Sequence, residues 1–219
     1  MPQTRIFPLE SADSNSDAFE TAVAEAAAVL QSGKVVSFPT ETVYGLGASV
    51  FDSSAVLKIY EAKGRSFDKP LSILISSIED AKTIAAEIPI SAVILAEKFW
   101  PGPLTIILNK KSDIPDQITA GKKTVGLRVP AHPAALELVR RAGPLACPSA
   151  NSSGNREPLT AADVLEDLDG KIDVLIDGGK TQVQMPSTII DLTVQPPKIL
   201  RKGGLDIEEI KKYIGEVLE

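Results

Sequence analysis

The sequence predicts one α/β domain of the α+β type, built on a twisted mixed β-sheet flanked by helices. Three observations carry this. Strand-like and helix-like segments are interspersed along the chain, the pattern of folds that layer helices on a sheet. The order is not a clean βαβ repeat, because several strand-like runs follow one another directly, so a mixed sheet fits better than a doubly wound one. The chain has 219 residues, 43% hydrophobic and 24% charged, enough for one packed core without disulfides or metal. It shows no internal repeat, low-complexity tract or linker.

Taken in order, residues 1–16 are polar and poorly patterned and read as an extended lead-in. Phe19, Val23, Ala26, Ala27 and Leu30 recur at helical spacing, predicting a helix over 17–31 that Gly33 stops. Residues 35–38 read as a strand ending at Pro39-Thr40. Asp52 or Ser53 caps a helix running to about Lys63. A strand at 71–75 leads to a helix opened by Ser77, with Asp80 standing in for the capping-box Glu. The helix at 90–100 stops at Pro101-Gly102-Pro103. Strands are predicted at 104–108 and 125–129, a helix over 133–141 ended by Gly143, and a short apolar run at 145–148. Thr160 caps a helix to about Leu168. Strands at 174–176, 188–192 and 199–200 follow, and Asp206-Ile207-Glu208-Glu209 reads as the capping box of a C-terminal helix over 207–219. The main domain is thus expected over 17–206.

Composition excludes several classes of function. With 23 Lys+Arg against 29 Asp+Glu, the net charge of −6 argues against strong nonspecific nucleic-acid binding while leaving room for a local basic face. The one cysteine, Cys147, forms no internal disulfide or zinc cluster, and the one histidine, His132, rules out a site of several imidazoles. No apolar run approaches the ~20 residues of a membrane span. Residues 1–10 lack the features of an export signal, so the cytoplasm is the expected location.

Some motifs are decoys. Gly179-Lys180-Thr181 ends like a P-loop but has Val174 where the first Gly belongs. Gly45-Leu46-Gly47 lacks the third Gly of a dinucleotide fingerprint and is better read as a tight turn. Asn151-Ser152-Ser153 fits a glycosylation pattern, but nothing directs the chain out of the cell. Cys147 and His132 could form a nucleophile pair, but a small buried Cys in an apolar run is the better reading. Trp100 reads as a packing anchor.

Four segments put polar groups and turn residues just after strands, where α/β proteins hold ligands. Residues 39–47 combine hydroxyls, Glu41 and two glycines; a Pro/Gly turn whose threonines satisfy the backbone is the competing account. Lys63-Gly64-Arg65 with Lys69 reads either as cations at a helix C-terminus or as a clamp for phosphate or carboxylate. Residues 148–154 supply hydroxyls and an amide that donate to anions without adding charge, or serve as caps. Ser187 precedes a strand, and Arg201-Lys202 follows one.

Together these segments resemble the YrdC/Sua5 family of threonylcarbamoyl-AMP synthases. The likeness lies in Pro39-Thr40-Glu41-Thr42-Val43-Tyr44-Gly45-Leu46-Gly47, in a KxR motif at Lys63-Gly64-Arg65 and in an SxN motif at Ser149-Ala150-Asn151. It continues in Trp100-Pro101-Gly102-Pro103-Leu104-Thr105, Gly126-Leu127-Arg128-Val129-Pro130, Pro186-Ser187-Thr188-Ile189-Ile190-Asp191 and Leu200-Arg201-Lys202-Gly203-Gly204. Ser66, where many members have Pro, and Lys69, where some longer members have His, depart from the pattern. The chain is similar to the short form of the family, the YrdC-like domain alone.

The resemblance implies a concave cavity in the mixed sheet and condensation of L-threonine, bicarbonate or CO2, and ATP to threonylcarbamoyl-AMP and pyrophosphate, for the t6A modification of tRNA. It implies that Lys63 and Arg65 are catalytic. It implies ATP binding by Lys63, Arg65, Ser149, Asn151 and Arg201, and threonine binding by Thr40, Arg65, Lys69 and Ser187. Mg2+ is expected to ride on ATP, with no protein metal cage; Glu41 either touches it through water or is structural. tRNA is an indirect partner through a downstream transferase, with no membrane partner. A double-stranded RNA or tRNA-binding module of the same fold is the alternative. Carbamoyl transfer, as in hydrogenase-maturation proteins, fits less well because those chains carry zinc-finger segments that this sequence lacks.

Overall fold

The computed structural model describes residues 3–9 and 16–219. Among these residues, ten strands form one mixed sheet in the order β1-β8-β2-β3-β7-β4-β6-β5-β9-β10. They are β1 (Arg5–Pro8), β2 (Val36–Phe38), β3 (Gly45–Ser49), β4 (Ser72–Leu74), β5 (Leu104–Asn109), β6 (Thr124–Arg128), β7 (Leu145–Ala146), β8 (Val174–Asp177), β9 (Thr188–Asp191) and β10 (Lys198–Arg201). The helices are α1 (Asp17–Gln31), α2 (Ser53–Lys63), α3 (Ile78–Ile84), α4 (Ile90–Phe99), α5 (Asp116–Thr119), α6 (Pro133–Ala142), α7 (Ala161–Leu168) and α8 (Ile207–Ile214). Parallel pairs (β1/β8, β2/β8, β4/β6, β5/β9) are mixed with antiparallel ones, so the expected mixed sheet is present.

Alternation along the strands sorts the core onto two faces. Val36, Phe38, Leu74, Leu145, Val174 and Ile176 pack with Phe19, Val23 and Leu30 of α1 and Leu138 and Val139 of α6. Ile73, Ala146 and Leu175 face the other way, into a larger core with α2, α4, α7 and α8. On the first face, the α1/α6 cluster includes no residue of β6, β5, β9 or β10. Ser72, Thr105, Arg128, Ile189 and Arg201 line a hollow there, together with Leu74, which also belongs to the α1/α6 cluster.

The capping residues act largely as expected. Asp52 caps α2 by accepting from Ser54 N and Ala55 N, and Thr160 with Asp163 forms a reciprocal capping box on α7. Two other expected boxes do not close. Asp80 accepts from Ser76 N and Oγ rather than from the Ser77 amide. At α8, Asp206 accepts from Glu208 N, while Glu209 pairs with Lys212. The C-terminal helix itself ends at Ile214, with Gly215 at φ 77°.

The lead-in needs a larger correction. Residues 3–9 include β1, which adds a parallel strand to β8 and is tied there by Arg5 N to Asp173 O and Leu9 N to Asp177 O; residues 1–2 and 10–15 lie outside the described residues. Its side chains are mostly exposed, so no apolar alternation announces it. Gly45-Leu46-Gly47 is not a tight turn either. It forms β3, between β2 and β7, and its glycines make room for neighbours: a Cβ on Gly47 would stand 2.7 Å from Phe38 Cε1, and one on Gly45 2.5 Å from Cys147 Sγ. Gly47→Ala should therefore lower stability by about 1–3 kcal/mol through overpacking, more than the ~0.5–1 kcal/mol returned by lower chain entropy. A thermal melt reads this; an unchanged midpoint would show that the Phe38 ring yields freely.

Candidate active site

The hollow has a volume of about 340 Å³, within the range of small-molecule sites. Its walls come from the β2–β3 segment (Thr40, Thr42, Tyr44), the loop after α2 (Arg65, Lys69), the 147–149 run after β7, Glu157, and the approaches to β9 and end of β10 (Ser187, Arg201). The loop after α2 forms because Gly64 caps the helix in the left-handed conformation at φ 57°, and Arg65 N returns to Tyr60 O. Arg65 then hooks back, donating from Nε to Lys69 O (3.3 Å) and from a terminal nitrogen to Pro70 O (3.0 Å), which sets its guanidinium on the rim. Lys69 lies exposed beside it.

Across the hollow, Arg201 donates to Ser187 O (2.9 Å) and Ser187 Oγ (3.0 Å), and Ser187 Oγ shares a hydrogen with Thr105 Oγ1 at 2.7 Å. Burial pulls the pKa of both Arg65 and Arg201 below the ordinary guanidinium value, and both remain charged. Thr40 Oγ1 donates to Val43 O (2.7 Å) and accepts from Thr42 N, so its hydroxyl chiefly staples the loop while its side chain lines the cavity.

Two of the expected ligand-binding residues stand behind the wall. Lys63 is 3% exposed, and its ammonium donates to Ser149 O, Asn151 O and Asn151 Oδ1 (3.2 Å). Asn151 is as fully engaged: Oδ1 also accepts from Ser149 Oγ (2.6 Å), and Nδ2 donates to Asn155 O and Arg156 O. Neither lines the hollow, whereas Ser149 does. KxR therefore contributes Arg65 to the cavity and Lys63 to the scaffold of SxN. Burial, and next the Arg65 charge, push the Lys63 pKa down to about 8, against the opposing charges of Glu157 and Asp167.

Sequence reasoning missed Arg128, although it lies in the quoted Gly126–Pro130 stretch. Arg128 is buried at the cavity floor, pairs with Glu41 Oε1 at 2.7 Å, and donates to Thr42 Oγ1 (2.9 Å) and Gly102 O (3.1 Å). A charged residue in a buried strand is the signal that marks it. Glu41, whose Oε2 also accepts from Ala131 N, is thus committed to the protein rather than to a metal. Among the described residues, four cations (Arg65, Lys69, Arg128, Arg201) and one carboxylate (Glu157) line the hollow, so the acidic chain carries a local basic face there.

Cys147 and His132 do not form a nucleophile pair. Burial pushes the Cys147 thiol up to about 12, and His132 caps α6 by accepting Ala134 N at Nδ1, away from the cavity lining, with burial lowering its pKa. Trp100 donates Nε1–H to Leu104 O and packs against the core.

A hollow lined by paired and hooked cations and hydroxyls in an α/β sheet has the chemistry to receive an anion. Residues 28–203 match the Sua5/YciO/YrdC family, described as telomere recombination, and the chain belongs to that family. It is 53% identical over 193 residues to a threonylcarbamoyl-AMP synthase of Pyrococcus abyssi, and 46% identical over 197 residues to one of Bacillus subtilis. These matches cover 88% and 89% of this chain and 57% of each relative, so the chain spans a little over half their length. The solved structure of P. abyssi Sua5 complexed with L-threonine superposes with a TM-score of 0.93 at 49% identity, covering 98% of this chain and 62% of that one. Among the described residues, no helix is long and apolar enough to cross a membrane.

Proposed function

We propose that this chain condenses L-threonine, bicarbonate and ATP to threonylcarbamoyl-AMP and pyrophosphate. The observation that carries the reading is the cation-lined hollow without an activated nucleophile, in a chain similar to threonylcarbamoyl-AMP synthases. Threonine's ammonium and bicarbonate give the carbamate, water and one proton. A carbamate oxygen then attacks the α-phosphorus, a new P–O bond forms, and the α–β P–O bond breaks with its electrons leaving on pyrophosphate. Both reactants are anionic, so the protein's task is to offset repulsion and align them.

Arg201 and Arg65 line the same hollow and would hold the phosphates between them and the Ser149 hydroxyl. Thr40, Ser187 and Lys69 line the part assigned to threonine and its carboxylate. Arg128 holds the floor through Glu41 and Thr42. Mg2+, carried by the triphosphate, would screen its charge. The donors present suit it: Glu157 and Ser149 are hard oxygen donors in the cavity lining, although among the described residues no cluster of three or more His, Cys, Asp or Glu could hold a metal unaided. The product would pass to a transferase acting on tRNA, in the cytoplasm.

Incubation with ATP, Mg2+, bicarbonate and each amino acid in turn should release pyrophosphate with threonine alone and without RNA. Arg201→Ala should lower that rate by about 10²–10³-fold, as removal of a donor aimed at developing charge does. Release with no amino acid dependence, or only when RNA is present, would overturn the reading.

A further inference from the structure

We infer that Glu157 supplies the protein oxygen that holds the divalent cation of the bound nucleotide, an inference that rests on the adenylyl-transfer reading above. Among the described residues, Glu157 is the only carboxylate lining the hollow. Its Oε2 is buried and has no hydrogen-bond partner, and neither carboxylate oxygen lies within ion-pair distance of any described cation. A buried carboxylate oxygen without a partner costs free energy, and a site that keeps one implies a group that arrives later.

The surrounding cations do not fill that role. Lys63 has its three donors on Ser149 and Asn151, Arg201 is turned to Ser187, and the adjacent Arg156 is paired with Asp163 and Glu166. The Glu157 charge nevertheless reaches both Lys63 and Arg201, where it works against the lowering that burial imposes. It therefore lies within electrostatic reach of Arg201, one of the cations assigned to the phosphates.

The segment around it is fixed. Asn151 Nδ2 holds the Asn155 and Arg156 carbonyls, Asn155 Nδ2 donates to Asp167, and Pro158 O accepts from Tyr44 N. Glu157 is thus carried on an anchored loop while its own carboxylate stays free. A carboxylate fixed beside a triphosphate repels it unless a cation stands between them. A hard divalent ion held by Glu157 would resolve that conflict, since one or two carboxylates plus substrate phosphates is the usual Mg2+ donor set.

The test compares native protein with Glu157→Gln, using the α,β-methylene analogue of ATP, which cannot release pyrophosphate. Affinity for the analogue is measured by calorimetry with Mg2+ and with chelator, and the metal is followed separately by the electron-spin resonance of Mn2+. In the native protein Mn2+ should join the analogue complex about tenfold more tightly than in Glu157→Gln, ~1.4 kcal/mol. Without metal, the order should reverse, because glutamine removes the repulsion. Metal dependence equal in the two proteins would overturn the assignment. So would a loss confined to threonine affinity, which would give the carboxylate to the substrate ammonium. If the native protein binds no analogue at all, the adenylyl-transfer reading fails and this inference falls with it. Far-ultraviolet circular dichroism should be unchanged, since the carboxylate holds nothing in the protein.

Discussion

Lys63→Ala should lower threonine-dependent pyrophosphate release by at least about 100-fold and, at the same time, destabilise the protein by about 3 kcal/mol. The two effects have one cause. Removing the ammonium strands Ser149 O, Asn151 O and Asn151 Oδ1 in a buried site, and each orphaned acceptor costs about 1–3 kcal/mol before relaxation. The loop that then moves carries Ser149 into the cavity. Hydrogen exchange of residues 149–156 should accelerate along with the loss of turnover. Lys63→Arg should not rescue, because a planar fork does not reproduce three converging donors on one nitrogen. Lost turnover with native stability and native exchange would instead make Lys63 a direct ligand contact.

The same residue should give the proposed activity an alkaline limb. The folded-state pKa of Lys63, about 8, lies below the 10.5 of an ordinary lysine, so between those values the unfolded chain binds more protons. The cost of burying the charge is therefore fully present below pH 8 and is relieved as pH rises through this window. Neutral Lys63 has one donor hydrogen fewer, and the SxN loop loses a tie. Turnover should fall above pH 8, and the residual rate of Lys63→Ala should lack that limb.

Arg128→Met should cost about 3–5 kcal/mol, the usual result of breaking a buried ion pair from one side. Glu41 would be left charged at 5% exposure, with only the Ala131 amide on Oε2. Arg128 also ties β6 to Thr42 and to Gly102, so its loss frees the loop holding Thr40 and slackens the cavity floor. Adding Glu41→Gln should recover much of the stability, because the stranded charge is gone. Urea midpoints decide: a single variant within about 1 kcal/mol of native would show that water reaches Glu41 and that the pair contributes little.

Much of this molecule is legible locally. Asp52, Ser77, Thr160 and Asp206 each cap the helix that their position announces, and β5, β6 and β8 lie where β-branched runs predict. What escaped depends on partners distant in sequence. β1 has a solvent-facing pattern and exists because β8, some 170 residues on, offers it a parallel edge. β3 is rich in glycine because Phe38 and Cys147 crowd it, which only the folded sheet reveals. Arg65, Ser149, Ser187 and Arg201 do share one hollow with Thr40 and Lys69. Lys63 and Asn151 do not line it, because main-chain carbonyls 86 and 88 residues from Lys63 claim its ammonium first. A motif shows that residues matter together; it does not show which of them faces outward.

The placing of cations in a hollow of an otherwise acidic chain has a kinetic consequence. At physiological ionic strength the repulsion from a net charge of −6 fades beyond about 8 Å of the surface. A small anion thus meets attraction only at the mouth of the cleft and is captured at close range rather than drawn in from afar. A long polyanion, with much of its length lying against the acidic exterior, gains far less from that short-range pull.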